Sequence, residues 1–351
     1  MRYRQSAFAP RMTSLCNIDE YLIMTHLFSK TALAGALALL AAGSAFAQAD
    51  AASFPNKMVT IVVGYPPGGG PDLSARLYAE KLSKRWGQSV VVENRAGVSG
   101  MIGASHVARA NADGHTLLIA PNTFVSAPLF LPKDSIRVYA EKDFKPVFAP
   151  SKGAMIMLAH PSLGLKNAKD LVEHLKKTPN EAYASPGVGS PMHIAGELFK
   201  QSAGVNMMHV PYKGVAPAIA DVLGGHVKIT YSSTGAVASH IQSGTLIPLG
   251  VAEEERSALT PDIPTLKEQG FENASTGAWY GVYAPKNTPD AIVNKLNEDF
   301  NAILKDPDTL AKLKTLWEQP VGGPPSVLAE QVKAEYERYY TVAKRLNLLE
   351  E

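Results

Sequence analysis

Residues 58–65, MVTIVVGY, are almost continuously apolar and rich in β-branched side chains. A strand without polar alternation has to be covered on both faces, and chains achieve this by flanking a largely parallel sheet with helices. The next apolar positions, Leu73, Leu77, Tyr78 and Leu82, fall at helical spacing, so the strand leads into a helix. The alternation then repeats. Further buried strands are predicted at 89–94 (SVVVEN), 116–122 (TLLIAPN), 154–160 (AMIMLAH) and 181–185 (EAYAS), with a helix between the last two carrying Leu171, Val172 and Leu175 on one face. A helix with Ile194, Ala195, Leu198 and Phe199 comes next, then MMHVPY (207–212), a helix at 216–223 and a strand at 226–233. Residues 259–264 and 284–290 read as loops, and Ile292, Leu296, Phe300 and Leu304 form a last helical stripe. The pattern predicts an α/β chain of two clusters with crossovers near 149–153 and 273–280. Residues 48–150 and 276–351 would then form domain 1, and residues 151–275 an inserted domain 2.

Residues 30–47, KTALAGALALLAAGSAFA, place a basic residue before an apolar run that ends in Ala45-Phe46-Ala47. This is the secretory-signal pattern, with cleavage expected after Ala47; the run is shorter than the roughly 20 residues a bilayer span needs. Translation is expected to start at Met24, which leaves residues 1–23 outside the leader proper. Removing residues 1–47 takes away four of the 34 basic and two of the 32 acidic residues, leaving thirty of each. A neutral chain offers no electrostatic footprint for nucleic acid or anionic lipid. Cys16, the only cysteine, goes with the leader, so the exported chain has neither a disulfide nor a thiolate nucleophile.

Two loops share one design. GYPPGGGPD (64–72) and SPGVGSPMH (185–193) each join a buried strand to a helix, with a proline, Pro71 or Pro191, placed for the first helical position. Glycines there let the backbone turn and present unpaired N–H groups at the positive end of a helix dipole, an end that attracts anions. Ser190 reads as an N-cap, and Gly70 or Asp72 as the cap of the first helix. Sharper chemistries fit less well. A phosphate-cradling P-loop needs a Gly-Lys dipeptide, which the chain lacks, and the dinucleotide fingerprint is met only in part by Gly187-Val188-Gly189. The hydrolase elbow G-x-S-x-G is absent, although Ser190 and His193 lie one helical turn apart. Histidines and acidic residues are scattered without metal-ligand or acid–base spacing, so neither metal nor cofactor is expected. Glu253, Glu254 and Glu255 read as a solvated turn of helix.

The run from Pro66 to Asn122, PPGGGPDLSARLYAEKLSKRWGQSVVVENRAGVSGMIGASHVARANADGHTLLIAPN, resembles the substrate-binding receptors of tripartite tricarboxylate transporters, the Bug family of exported solute-binding proteins. The resemblance continues in GVGSPMHIAGELFKQSAGV, in VPYKGVAPAIADVLGGHV (210–227) and in PDIPTLKEQGFENASTGAWYGVYAPKNTP (261–289). It implies a two-domain periplasmic-binding-protein clam of type II-like form, with two crossovers and a small carboxylate in the cleft. Carried over, the contacts are Tyr65, Pro67, Gly68, Gly69, Gly70 and Asp72 in the first loop, Asn122 and Thr123 at the pocket edge, Gly187, Val188, Gly189, Ser190 and His193 in the second loop, and Ser232, Ser233 and Thr234 at a strand end. The family commonly has Phe at the position of Tyr65 and Thr or Ser at that of Pro71. Family members that hold an amino group often offer an acidic residue at this strand end, and YSSTG (231–235) has none, so the resemblance implies a purely anionic or uncharged acid rather than an amino acid. The implied partners are a small organic carboxylate, mono- or dicarboxylate or aromatic, and membrane permease subunits served by a periplasmic monomer. Two rivals stand beside this: a sensor that signals to another protein, and a periplasmic hydrolase using Ser190 and His193.

Overall fold

The computed structural model describes residues 53–346 and 348–349, so the expected leader and its Met24 start lie outside the described residues. The first apolar run forms β1 (Val59–Val63), flanked by β2 (Val90–Asn94) and β3 (Thr116–Pro121). The same sheet takes in β4 (Phe144–Phe148), β5 (Ser151–Gly153), β11 (Ala278–Pro285) and β12 (Glu318–Pro320), in the order β12-β5-β11-β3-β1-β2 with β4 beside β11. A second sheet contains β6 (Met155–Ala159), β7 (Ala182–Ser185), β8 (Met208–Pro211), β9 (Ile229–Ser233) and β10 (Ile247–Val251), in the order β10-β6-β9-β7-β8.

Both sheets are mixed. In the first, β1 is parallel to β2 and β3, with Val59 opposite Val90 and Thr60 opposite Thr116, whereas β11 runs antiparallel to β3, β4 and β5. In the second, β7 is parallel to β8 and β9, and β6 is antiparallel to β9 and β10. The antiparallel strands adjoin the two passages between sheets. Only Ala154 separates β5 from β6, and β11 carries the chain back. A strand that enters from the other sheet, rather than over a crossover helix, is free to run against its neighbours.

The apolar runs are continuous because both faces are buried. Along β6, Met155, Met157 and Ala159 enter one cluster with Tyr183, Phe199 and Tyr231, while Ile156 and Leu158 enter another with Ala184, Val222 and Val237. Successive side chains of a strand point to opposite faces, so every second residue serves a different helix layer. The first sheet has its own cluster around Val62, Leu118, Phe124, Trp279 and Tyr283. β2 departs from expectation: it is an edge strand, with Val91 40 % exposed. Glu253, Glu254 and Glu255 form a bend rather than a turn of helix, and Glu253 turns inward to accept the Met155 N–H at 3.2 Å.

Between the sheets, Glu318 on β12 is 2 % exposed and accepts from the Ser151 hydroxyl at 2.5 Å. A Cβ on Gly235 would lie 2.4 Å from its Oε1, so the carboxyl sits against the start of the helix Thr234–Gln242 in the other sheet's layer. Burial pushes this carboxyl up to about 7, and the Ser151 hydrogen bond opposes the rise only in part. The folded chain therefore binds this proton more tightly than the unfolded chain. Stability from this group is full below the unfolded value near 4.3 and is lost as pH rises through 7. Glu318→Gln removes the titration, so its unfolding midpoint should exceed the parent's at pH 8 and match it or fall below it at pH 4.5. Thermal unfolding at the two pH values checks this; parallel curves would refute it.

Candidate functional site

Each glycine-rich loop lies where a sheet's strand ends and a long helix begins. The first runs from β1 into the helix Gly70–Trp86, whose N-cap is Gly69 with Pro71 in the first turn. The second runs from β7 into the helix Pro191–Ala203, capped by Ser190, whose Oγ accepts the His193 N–H at 3.1 Å. Asp72 does not cap its helix. It is 2 % exposed, and its carboxylate accepts from the Gly68 N–H and the Arg76 Nε, each at 2.9 Å, from Arg76 Nη2 at 3.0 Å and from the Asn94 amide at 2.9 Å. The Asn94 amide also donates to the Tyr65 carbonyl at 2.9 Å, so Asp72 ties both ends of the loop.

A cavity lies between the sheets, walled by Tyr65, Pro66, Gly69 and Pro71 from the first loop, Pro121 at the end of β3 with Asn122 and Thr123 after it, Pro186, Met192 and Val215, Ser233 at the end of β9, and Ala278, Trp279 and Tyr280 on β11. Its free volume is about 20 Å³. That is room for one or two waters, so an organic acid enters only as the walls part. The Ser233 and Tyr280 hydroxyls meet at 3.3 Å across the floor, and Gly70 packs behind them, where a Cβ would lie 2.0 Å from the Tyr280 hydroxyl. Burial pushes the Tyr65 and Tyr280 hydroxyls far above the usual phenol range, so both remain donors.

None of the walling residues is charged. Four helices of at least nine residues nonetheless start at the wall: Gly70–Trp86 behind Gly69, Pro191–Ala203 through Met192, Val215–Leu223 at Val215, and Thr234–Gln242 behind Ser233. Their dipoles add a positive potential without a cation, the condition in which an anion is held by N–H groups and hydroxyls. A larger hollow of about 600 Å³ is walled by Lys152, Glu253, Arg256, Arg338 and Arg345 among others. Neither glycine loop reaches it, and its charges of both signs give no such selectivity.

Of the residues expected at the site, Tyr65, Gly69, Asn122, Thr123 and Ser233 meet at the cavity, with Gly70 directly behind. Pro67, Gly68 and Asp72 shape the first loop from outside the wall. The Asn122 amide turns away, donating to the Gly277 carbonyl at 2.8 Å and to Glu335 at 2.6 Å. Ser232 lies in the strand with its hydroxyl near the Ser233 carbonyl at 3.4 Å, and Thr234 donates to the Trp317 carbonyl at 2.9 Å. Gly187, Val188, Gly189, Ser190 and His193 lie beside the cavity, where the two layers meet. Ser190 Oγ donates to the Gly187 carbonyl at 2.7 Å, and His193 Nδ1 accepts the Gly189 N–H at 3.3 Å. Burial lowers His193 to about 4, with Lys200 adding to the effect, so the ring is a neutral acceptor at neutral pH. The hydroxyl and the imidazole are both committed to loop geometry. Trp279 and Tyr280, read from the sequence as candidates to line the cleft beside Tyr65, are both in the wall, whereas sequence reading did not assign Pro121, Pro186, Met192, Val215 or Ala278 to it; each of these lies at or beside a strand end or helix start, which is the signal that could have found them. Among the described residues, no group of three or more His, Cys, Asp or Glu could hold a metal ion.

The model of the tripartite tricarboxylate transporter family receptor matches residues 74–348. The UPF0065 protein in the tcbD-tcbE intergenic region of Pseudomonas sp. strain P51 is 34 % identical over 92 % of this chain and 97 % of its own length. The protein BugT of Bordetella pertussis is 33 % identical over 85 % of this chain and 92 % of its own. Among solved structures, the periplasmic binding protein BugD is 32 % identical with a TM-score of 0.80, covering 85 % of this chain and all of that one. A protein of R. palustris solved with adipate is 34 % identical with a TM-score of 0.80, covering 84 % and 98 %. MatC from Rhodopseudomonas palustris, solved with bound malate, is 30 % identical with a TM-score of 0.78, covering 82 % and 99 %. The expected fold class, a two-domain α/β periplasmic-binding-protein clam, is the one these structures share, and the chain belongs to the tripartite tricarboxylate transporter receptor family.

Proposed function

We propose that this chain is an exported receptor that closes on a small organic carboxylate and delivers it, as a monomer in the periplasm, to the membrane subunits of a tripartite tricarboxylate-type permease. The observation that carries the reading is the convergence of four helix N-termini on a cavity without charged walls. The acids held by two similar proteins, adipate and malate, agree with it. Apolar walls from Tyr65, Met192, Val215 and Trp279 suit a carbon skeleton, and Ser233 and Tyr280 offer hydroxyls to an oxygen. Closure turns on the two passages between layers, with the described residues up to 150 and from 276 onward moving as one body and 151–275 as the other.

Residues 53–351 form a compact unit, so unfolding reports binding directly. A carboxylate at a hundred times its Kd should stabilise by about 2.7 kcal/mol, a rise of several degrees. Adipate, malate, citrate, benzoate and glutamate make the panel, with a nucleotide and an ester as controls. One acid that raises the midpoint and is recovered unchanged supports the receptor; an ester consumed, with no acid bound, replaces it with a hydrolase.

A further inference from the structure

The carbonyls of Gly187, Val188 and Gly189 all accept hydroxyl hydrogen bonds, and two of the four donors come from the other layer. Ser190 Oγ serves Gly187 from within the loop at 2.7 Å. Ser99 Oγ donates to Val188 at 2.9 Å and Ser126 Oγ to Gly189 at 2.7 Å, from segments that follow β2 and β3 of the first sheet. Neither serine walls the cavity.

The Ser99 segment is itself strained. Gly97, Val98, Ser99 and Gly100 have φ of 138°, 48°, 50° and 91°, and a β-branched residue rarely adopts such a value. The Tyr65 hydroxyl pins this run by donating to the Ser99 carbonyl at 2.9 Å, so a residue of the cavity wall fixes the serine that reaches across. Ser126 has a second acceptor close by, the Asn122 carbonyl at 3.3 Å. That carbonyl, on its own helix, can take the hydroxyl if the layers part.

We propose that Ser99 and Ser126 are positioning residues that latch the second glycine loop when the receptor closes, setting affinity through the closed population rather than through contact with the acid. The proposal rests on the receptor reading. Apparent affinity falls in proportion to the closed, binding-competent fraction, and the latch strengthens every ligand by the same factor because it touches none of them.

The test is titration calorimetry of the parent, Ser99→Ala, Ser126→Ala and the double variant with adipate, malate and benzoate. Each single change should raise Kd about three- to ten-fold, the double change more, by a common factor for every acid that binds. The loss should appear in the dissociation rate. Unchanged Kd in the double variant overturns the latch. So do losses that differ from acid to acid, which would make the serines ligand contacts, and a fall in the ligand-free midpoint with Kd unchanged, which would make them ordinary packing. If the parent binds no acid, the receptor reading fails separately. The latch is then read without ligand, by energy transfer between dyes on Lys142→Cys and Lys176→Cys in a Cys16→Ser background. A longer separation in the double variant supports it, and equal separations overturn it.

Discussion

Asp72→Ala should unfold about 3 kcal/mol more readily than the parent at pH 7, a loss expected when a buried carboxylate is removed and the donors it satisfied are left unpaired. Arg76 is half exposed, with 52 % of its side chain accessible, so its Coulomb attraction counts for little. Most of the loss comes from the Gly68 N–H and the Asn94 amide, which are left without their acceptor. Burial alone would raise the Asp72 carboxyl; the Arg76, Gly68 and Asn94 hydrogen bonds outweigh it and hold the group below the usual carboxylate range. The sign of the pH dependence follows. Stabilisation by a carboxyl with a lowered folded value is full above the unfolded value near 3.9 and is lost as pH falls through the folded one. Urea unfolding should show the gap between parent and variant at pH 7 narrowing toward pH 3. Since Asn94 also holds the Tyr65 carbonyl, binding should weaken with the loop. A variant within 0.5 kcal/mol of the parent at pH 7, on the scale of an ordinary surface change, would show the loop to be held by something else.

The strand–glycine–helix joints were legible because three local signals coincide in each: an apolar β-branched run, glycines, and a proline at the helix start. Ser190 as N-cap followed from the same logic and is what the structure shows. β11 was hidden, its eight residues all buried. AWYGVYAP carries a glycine and ends at a proline, composition that reads as punctuation, yet it pairs with three strands at the centre of its sheet. Only the sheet can say that Gly281 needs to be small, since a Cβ there would lie 2.7 Å from the Tyr283 ring.

At the site, what failed to show was division of labour. Asp72 stands four residues before Arg76, a spacing that pairs side chains on one helix face and could have marked it as a brace. The serines that cross to the second loop gave no such sign. Ser99 lies 89 residues from Val188, and Ser126 lies 63 from Gly189. Neither was singled out, because a hydroxyl leaves no periodicity from which to infer a distant acceptor. An uncharged cavity is obscure for a related reason: in the proposed reading N–H groups at helix starts do the holding, and a residue of almost any type can supply an N–H.

Gly189→Ala should weaken every ligand at least a hundred-fold while leaving both sheets folded. Gly189 has φ of 73°, and a Cβ there would lie 2.9 Å from Ala127 Cα and 3.1 Å from the Phe130 Cβ and Cδ2. Ala127 and Phe130 belong to the first sheet's layer, and the nearest atom is backbone, which cannot rotate aside. Leu129 and Phe130 also pack with Ile194 and Leu198 of the second layer and with Tyr339 and Ala343 of the last helix, so the seam has no slack. The added methyl therefore opposes closure. Strain from the left-handed backbone is a separate cost, roughly 1–2 kcal/mol for a non-glycine residue. Gly204→Ala isolates it: Gly204 has φ of 63° at the end of the same helix, and a Cβ there meets nothing within 4 Å. Both variants should lose similar stability in thermal unfolding, but only Gly189→Ala should lose affinity in calorimetry. A hundred-fold loss is about 2.7 kcal/mol, more than the strain alone supplies. If both variants bind alike, the second loop does not meet the first layer on closure, and the seam seen here is not the one that ligand binding completes.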